Sequence, residues 1–361
     1  MIYLIRRLLL TVAAISISYP QGFWGNEFPE GKIKYDPETY VCLKTTDKLA
    51  LDGKITEKAW EKAPWTNSFV DIEGDLKPKP YHDTKVKMLW DENYFYFAAL
   101  MEEPHVWGKL TDRDAVIYKD NDFEIFLDPD GDTHNYYELE VNALGTEWDL
   151  ILLKPYHDED KVVIDSWDIP GLITKVHVDG TLNDPSDEDR AWSVEIAIPW
   201  KAFISNYRSN TPPKDGEQWK VNFSRVHWET DIIDGDYVKK DAREFNWVWS
   251  PQGLIYMHMP EYWGLVQFSE VRSDRNAVSF NDTGIDKVKW ALRQVYIKQR
   301  NYFFKNDRYT KSIGSLNLRK SPAKGIPWPP KIVLTPSGWE AVLNWNDQKV
   351  IIRKDGKVWT E

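Results

Sequence analysis

The feature that most constrains this chain is a pair of alternating apolar and polar runs separated by a short break. The first run, DNDFEIFLD, places Phe123, Ile125 and Leu127 on one side, and the second, YYELEVN, repeats the alternation beyond Asp130-Gly131. A period of two is typical of strands with one buried face, and an Asp-Gly pair between two such runs is typical of a turn. The stretch therefore predicts a β-hairpin.

The polar side of this hairpin is acidic. If the apolar sets face the core, one rigid sheet face carries five side chains with acceptor oxygens, namely Asp122, Glu124, Glu138, Glu140 and Asn142. Such a face must be solvated, must hold a cation, or must bind something rich in hydrogen-bond donors.

The rest of the chain predicts an all-β fold. Many short alternating runs, few helical stretches and closely spaced turn signals favour an antiparallel β-sandwich of the jelly-roll or immunoglobulin-like kind over residues 40–270. Residues 271–361 form a C-terminal extension, with a helix predicted at 284–304 and a small β-meander at 331–360. Thr283-x-x-Asp286 has the pattern of a capping box for that helix.

The N-terminus has the pattern of a secretory signal. Arg6 and Arg7 precede the apolar run LLLTVAAISIS, which is too short to span a bilayer, so we expect residues 1–18 to be a signal peptide and 19–39 a linker. An uncleaved anchor is the alternative. The prediction is export to the periplasm, cell surface or exterior, with no membrane span after cleavage. The single cysteine, Cys42, excludes an intrachain disulfide, which fits a bacterial envelope or exterior.

Composition adds two constraints. The 361 residues include 19 Trp, more than a core alone is expected to need. From Ile285 onward the chain has 16 Lys and Arg against 6 Asp and Glu, whereas the remainder has 30 against 51. An acidic body argues against nucleic acid as a partner. The basic end either docks on that body or is simply solvated.

These segments resemble the family 9 carbohydrate-binding modules and the wider group of DOMON-like β-sandwiches. The likeness covers about residues 51–269 and is carried by five segments of the sequence: LDGKITEKAW, VKMLWDENYFYFAALMEEP, DNDFEIFLDPDGD with YYELEVN, WSVEIAIPW and WGLVQFS. The resemblance implies a two-sheet sandwich that binds a polysaccharide or oligosaccharide without cleaving it. It also implies sugar gripped between aromatic rings, and structural calcium.

The resemblance carries over to particular residues. Glu124 matches a sugar-contacting carboxylate of the family, and Tyr118 falls where the family places one clamp tryptophan. Glu140 stands where the family has an arginine, a reversal of charge, and the second clamp position falls near His258. Trp107, Trp228, Trp247 and Trp249 lie at strand ends or loops, where a ligand meets a sandwich. The expected carbohydrate-binding residues are Trp107, Tyr118, Glu124, Glu140, Asn142, Arg225, Trp228, Trp249 and His258.

Three other chemistries remain open. Asp128, Asp130 and Asp132 offer hard oxygen ligands for calcium, although acidic turns are often merely solvated. A glycosidase would use Glu124 with Glu138 or Glu140 as its carboxylate pair. A haem site would draw on Met257-His258-Met259, but adjacent strand residues point to opposite faces.

Overall fold

The structure is a computed structural model that describes residues 28–158, 163–203, 211–272 and 278–361. The predicted signal peptide, residues 1–18, and the first part of the predicted linker lie outside these ranges. Within them, no helix combines the length and apolar character that a membrane crossing requires.

The chain is mostly β, as predicted. In the described ranges the α-helices are α1 (Lys58–Lys62) and α2 (Ile285–Asn306), and short 3₁₀ helices occur at Gly74–Leu76, Ile117–Lys119, Trp200–Ala202 and Pro260–Tyr262. The strands are β1 (Thr39–Lys44), β2 (Val70–Asp71), β3 (Thr84–Trp90), β4 (Tyr94–Glu102), β5 (Asp122–Asp128), β6 (Tyr136–Asn142), β7 (Glu147–Leu152), β8 (Val163–Ile164), β9 (Ile173–Asp179), β10 (Ala191–Pro199), β11 (Gln218–His227), β12 (Thr230–Ile233), β13 (Asp236–Lys239), β14 (Phe245–Val248), β15 (Gly264–Arg272), β16 (Lys331–Thr335), β17 (Gly338–Trp345), β18 (Gln348–Arg353) and β19 (Val358–Thr360).

One large curled sheet forms the sandwich. Its strand order is β8-β7-β6-β5-β11-β15-β1-β3-β4-β10-β9, and β14 pairs with both β11 and β2. Inward-facing residues from both halves of the curl, such as Phe97, Ile125, Val194 and Phe223, share a single apolar core. This packing of one sheet half on the other confirms the predicted sandwich.

One strand departs from the antiparallel expectation. β1 pairs in parallel with β15 on one side and with β3 on the other. It carries Cys42, which is fully buried and unpaired in this core. Parallel neighbours need long connections, so β1 ties the start of the described chain to the end of the sandwich.

The C-terminal extension builds a second core. In the predicted helix, Val288, Leu292 and Val295 are fully buried between the four-stranded sheet β16–β19 and the loop before β15. The capping box is wrong: Gly284 is the N-cap in a left-handed conformation, with no side-chain cap bond. A Cβ at Gly284 would lie 2.7 Å from the Trp345 ring, so glycine also allows the sheet to approach.

Basic residues of the extension contact the hairpin loop between β5 and β6. Lys289 Nζ donates to the carbonyls of Asp130 and Gly131 at 3.0 Å, and Lys357 Nζ lies 2.7 Å from Asp132 Oδ2. Of the two alternatives for the basic end of the chain, the structure therefore shows docking on the acidic body.

Candidate functional site

The hairpin register brings the acidic side chains together. β5 and β6 pair Asp122 with Asn142, Glu124 with Glu140 and Phe126 with Glu138, so all of these residues lie on the same sheet face. The opposite face carries the apolar set and packs into the core. We call Asp122, Glu124, Glu138 and Glu140 the acid face.

The acid face is buried to an extent that alternation alone does not indicate. Glu124 and Glu138 are 5% exposed, Glu140 is 2% exposed, and Asp122 is fully buried. Oxygens of Asp122, Glu124 and Glu140 all lie within 4.8 Å of one another. Charges this close and this poorly solvated repel strongly unless something neutralises them.

The pKa values of these carboxyl groups reflect that crowding. Burial raises the pKa of Glu124 to about 7, with the charge of Glu244 adding to it and a hydrogen bond from Ser224 opposing it. Burial and then the Glu124 charge raise the pKa values of Asp122, Glu138 and Glu140 well above their usual range.

Tyr118 borders the acid face. It lies in the 3₁₀ turn Ile117–Lys119, is 41% exposed, and donates its backbone N–H to Glu140 Oε2 at 2.9 Å. Trp228 is half-buried beside it, with its indole N–H on the Tyr118 carbonyl at 2.8 Å and Lys239 Nζ 3.9 Å from its ring centroid. These contacts fix the Tyr118 backbone beside Glu140.

Tyr156 is a second aromatic border that sequence reasoning missed. Its ring is 41% exposed and meets the His258 ring edge-on at 4.6 Å, and His258 Nδ1 lies 2.9 Å from Tyr136 Oη. Burial, then Glu138 and Glu140, raise the pKa of the Tyr156 phenol, while burial and Glu140 raise the pKa of Tyr118. The charge of Glu140 therefore acts on both phenols.

Three predicted positions are engaged elsewhere. Trp107 and Trp249 are at most 2% exposed, so neither ring offers a stacking surface; Trp249 packs over Gly264. Arg225 lies on the core side of β11, paired with Glu103 at 2.9 Å, and is remote from the acid face. Trp247, the other tryptophan considered, is also buried, under the Arg225 guanidinium.

Asn142 belongs to the hairpin face but holds a loop together. Its Nδ2 donates to the Leu110 carbonyl at 2.9 Å and to Asp120 Oδ2 at 3.1 Å. Its Oδ1 accepts the backbone N–H groups of Leu144 and Thr146. An amide with these partners has little hydrogen-bonding capacity left for a ligand, so its expected binding role is not supported.

The residues expected to hold calcium lie in the hairpin loop, where other groups also contact two of them. The carboxylates of Asp128, Asp130 and Asp132 do converge. However, both Asp128 oxygens accept backbone N–H groups, from Gly131 at 3.0 Å and Thr133 at 2.9 Å. Asp132 accepts the His134 N–H and pairs with Lys357. Amide donors and Lys357 thus engage Asp128 and Asp132, but burial and the neighbouring carboxylates still raise the pKa values of Asp128 and Asp130.

The residues considered for haem do not surround a common cavity. Met257 packs beside Trp263 under the acid-face sheet, whereas Met259 is fully buried in the C-terminal core. His258 lies between them in the sequence, is within hydrogen-bond distance of Tyr136 and packs against the Tyr156 ring. This arrangement offers no pair of axial ligands facing each other.

Comparison with known proteins adds one family and several similar chains. The model of the family described as carbohydrate family 9 binding domain-like matches residues 51–247, more than half of the chain. The chain is 32% identical over 108 residues to endo-1,4-beta-xylanase C of Paenibacillus barcinonensis; that match covers 30% of this chain and 9% of the xylanase.

Among solved structures, the chain is similar to a putative carbohydrate-binding protein from Bacteroides uniformis. The identity is 17%, the match covers 65% of this chain and 100% of that one, and the TM-score is 0.47. It is also similar to a family 9 carbohydrate binding module from Caldicellulosiruptor kristjanssonii in complex with cellotriose. There the identity is 18%, the coverage 68% and 100%, and the TM-score 0.40.

Proposed function

The chain belongs to the carbohydrate family 9 binding domain-like family, and from that premise we propose that it binds a polysaccharide or oligosaccharide without cleaving it, beside Glu124. The observation that carries this placement is the exposed ring of Tyr118, whose backbone N–H donates to Glu140 Oε2 at 2.9 Å, together with the exposed ring of Tyr156, whose phenol pKa is raised in part by Glu140. The solved structure with cellotriose is of a module from the same family.

The chemistry of the face suits a sugar. A pyranose presents C–H groups on its flat faces and hydroxyl donors around its edge. Flat aromatic rings such as Tyr118 and Tyr156 pack against the C–H groups, and carboxylate oxygens such as those of Glu124 accept from hydroxyls. In this proposal the rings supply most of the contact area and the carboxylates orient the sugar.

We also propose that the protein is exported. The support is the pattern of Arg6 and Arg7 followed by a short apolar run. Fractionation of cells that produce the full chain checks this: the account expects the protein outside the cytoplasm and shortened near residue 18. Full-length protein confined to the cytoplasm contradicts it.

A glycan array followed by calorimetric titration tests the binding proposal. The protein from Tyr19 onward is screened against plant, algal and host glycans, and the strongest signals are titrated in solution. The expected result is saturable binding to at least one glycan, with no change in that glycan after prolonged incubation. Absence of binding to every glycan contradicts the proposal.

A glycosidase is the second candidate, because oxygens of Glu124 and Glu140 lie within 4.8 Å of each other. Retaining glycosidases hold their two carboxyl groups about 5–5.5 Å apart. This alternative predicts release of reducing ends from a glycan bound in the screen, abolished in Glu124→Gln. Binding without product release favours the non-catalytic proposal.

A further inference from the structure

The acid face is a group of buried carboxyls with no basic partner among the described residues, unlike three buried ion pairs elsewhere in the chain. Arg225 pairs with Glu103 at 2.9 Å, Arg293 with Glu261 at 3.1 Å, and Lys220 lies 3.8 Å from Asp286. Among the described residues, the charged groups that act on the four acid-face carboxyls are other acids. A buried charge normally has a compensating charge nearby, so these carboxylates lack one within the described chain.

Two buried oxygens on this face also lack a hydrogen-bond donor. Asp122 is fully buried; its Oδ1 accepts only a long bond from the Val226 N–H at 3.3 Å, and its Oδ2 has no partner. Glu138 Oε2, on the neighbouring strand, is likewise buried without a donor. Orphaned carboxylate oxygens are rare in folded proteins because each loses its hydration without replacement.

The spacing of the carboxylates suits a metal ion. Ligand oxygens of Asp122, Glu124 and Glu140 lie within 4.8 Å of one another. Two oxygens that bind the same calcium ion at about 2.3–2.6 Å cannot be more than about 5 Å apart. The three side chains come from paired strands, so their positions are fixed before any ligand arrives.

We propose that Asp122, Glu124 and Glu140 bind a divalent cation of the calcium class, with Glu138 next to it. The ion supplies the positive charge that the acid face lacks and the partner that Asp122 Oδ2 lacks. The proposed site lies on the sheet face and is separate from the loop of Asp128, Asp130 and Asp132. The inference is independent of sugar binding, because the ion is measured with no glycan present.

The test uses the full chain, stripped with EDTA and dialysed free of it, then titrated with calcium chloride while heat and melting temperature are recorded. Asp122→Asn keeps the shape of one ligand and removes its charge. Asp130→Asn does the same in the hairpin loop and is the matched control. We expect one calcium site in the wild type and in Asp130→Asn, with a rise in melting temperature on binding. In Asp122→Asn we expect at least tenfold weaker binding.

The melting temperature in EDTA distinguishes a variant that has lost only the metal site from a variant that no longer folds. Since Asp122→Asn removes a buried, uncompensated charge, it should melt at or above the wild type in EDTA and below it in calcium. Three results overturn the proposal: a wild type that binds no calcium, equal binding by the wild type and Asp122→Asn, or binding lost only in Asp130→Asn. The first means that protons alone neutralise the face, and the last returns calcium to the hairpin loop.

Discussion

Tyr118 and Tyr156 are the two exposed rings beside the acid face, and they allow the sharpest test at the scale of residues. Alanine at either position removes a stacking surface while the carboxylates remain, so we expect sugar affinity to fall about tenfold, or about 1.4 kcal/mol. Phenylalanine at the same positions keeps the ring and should retain most of the affinity. Calorimetric titration with the best glycan of the screen measures the difference.

The matched control is Phe304→Ala, which removes another exposed ring, on α2 and far from the acid face in the chain. It should bind like the wild type. If Tyr118→Ala and Tyr156→Ala also bind like the wild type, the sugar does not lie between these rings.

Glu57 gives the chain a predictable response to pH. Burial, then Glu195, raises the pKa of Glu57 to about 7, and neither of its carboxylate oxygens has a donor. The folded state therefore holds this proton more tightly than the unfolded state, whose pKa is about 4.3. The contribution to stability is full at low pH and is lost as pH rises through about 7.

Glu57→Gln should remove this pH-dependent contribution to the free energy of unfolding. Denaturant unfolding between pH 4 and pH 8 is expected to show a smaller fall in the free energy of unfolding for Glu57→Gln than for the wild type. Parallel curves for the two proteins would show that Glu57 does not titrate in this window.

Sequence alone could assign the faces of single residues but not their exposure. The alternation around Phe123 and Glu124 predicted which side each would occupy, because side-chain direction in a strand is local. Trp107 and Trp249 were expected at the surface, yet their burial depends on segments that are distant in sequence. Tyr156 was missed because it lies in a loop without periodicity and reaches the site by packing on His258.

At the scale of elements, one buried arginine links α2 to the sandwich through hydrogen bonds and ion pairs. Arg293 is fully buried; its Nε lies 3.1 Å from Glu261 Oε1, and its Nη1 donates to the Gly356 carbonyl at 3.0 Å. Asp158 Oδ2 lies 3.8 Å away. One side chain thus joins the loop before β15, the end of the C-terminal sheet and the loop after β7.

Arg293→Ala should therefore be strongly destabilising. Removal of Arg293 leaves Glu261 buried without its cation, which typically costs about 3–5 kcal/mol, whereas Asp158 keeps Arg300 at 3.2 Å. Lys324→Ala removes an exposed positive charge from the same extension and should change stability little. Denaturant unfolding of both variants measures the contrast, and equal effects would contradict the role assigned to Arg293.

The elements themselves were predicted to different degrees. The β5–β6 hairpin and the buried stripe of α2 follow from local periodicity, and the structure has both. The capping box predicted for α2 was wrong because Gly284 is the N-cap, in a left-handed conformation that the sequence pattern does not reveal. The parallel pairing of β1 with β15 and β3 could not be predicted, since it joins distant segments.

At the scale of the whole molecule, the extension is part of the folded body. Its core includes Leu254, Met259 and Tyr262 from the loop before β15, and Lys357 pairs with Asp132 of the hairpin loop. The basic extension is thus attracted to the acidic body of the fold. Sequence revealed the asymmetry, but only packing shows that it is used for docking.

Truncation after Glu270 tests this integration. The loss of α2 and of β16–β19 uncovers an apolar surface around Tyr262, so we expect a lower melting temperature and binding of a hydrophobic dye. A truncated chain that melts like the full chain and binds no dye would show that the sandwich is independent of the extension.

The most direct measurement of the central claim is a crystal structure of the protein with the best-binding oligosaccharide of the screen. The account predicts a sugar ring against Tyr118 or Tyr156, with hydroxyls within hydrogen-bonding distance of Glu124 or Glu138. Sugar bound elsewhere on the molecule, with nothing between these two rings, would contradict it.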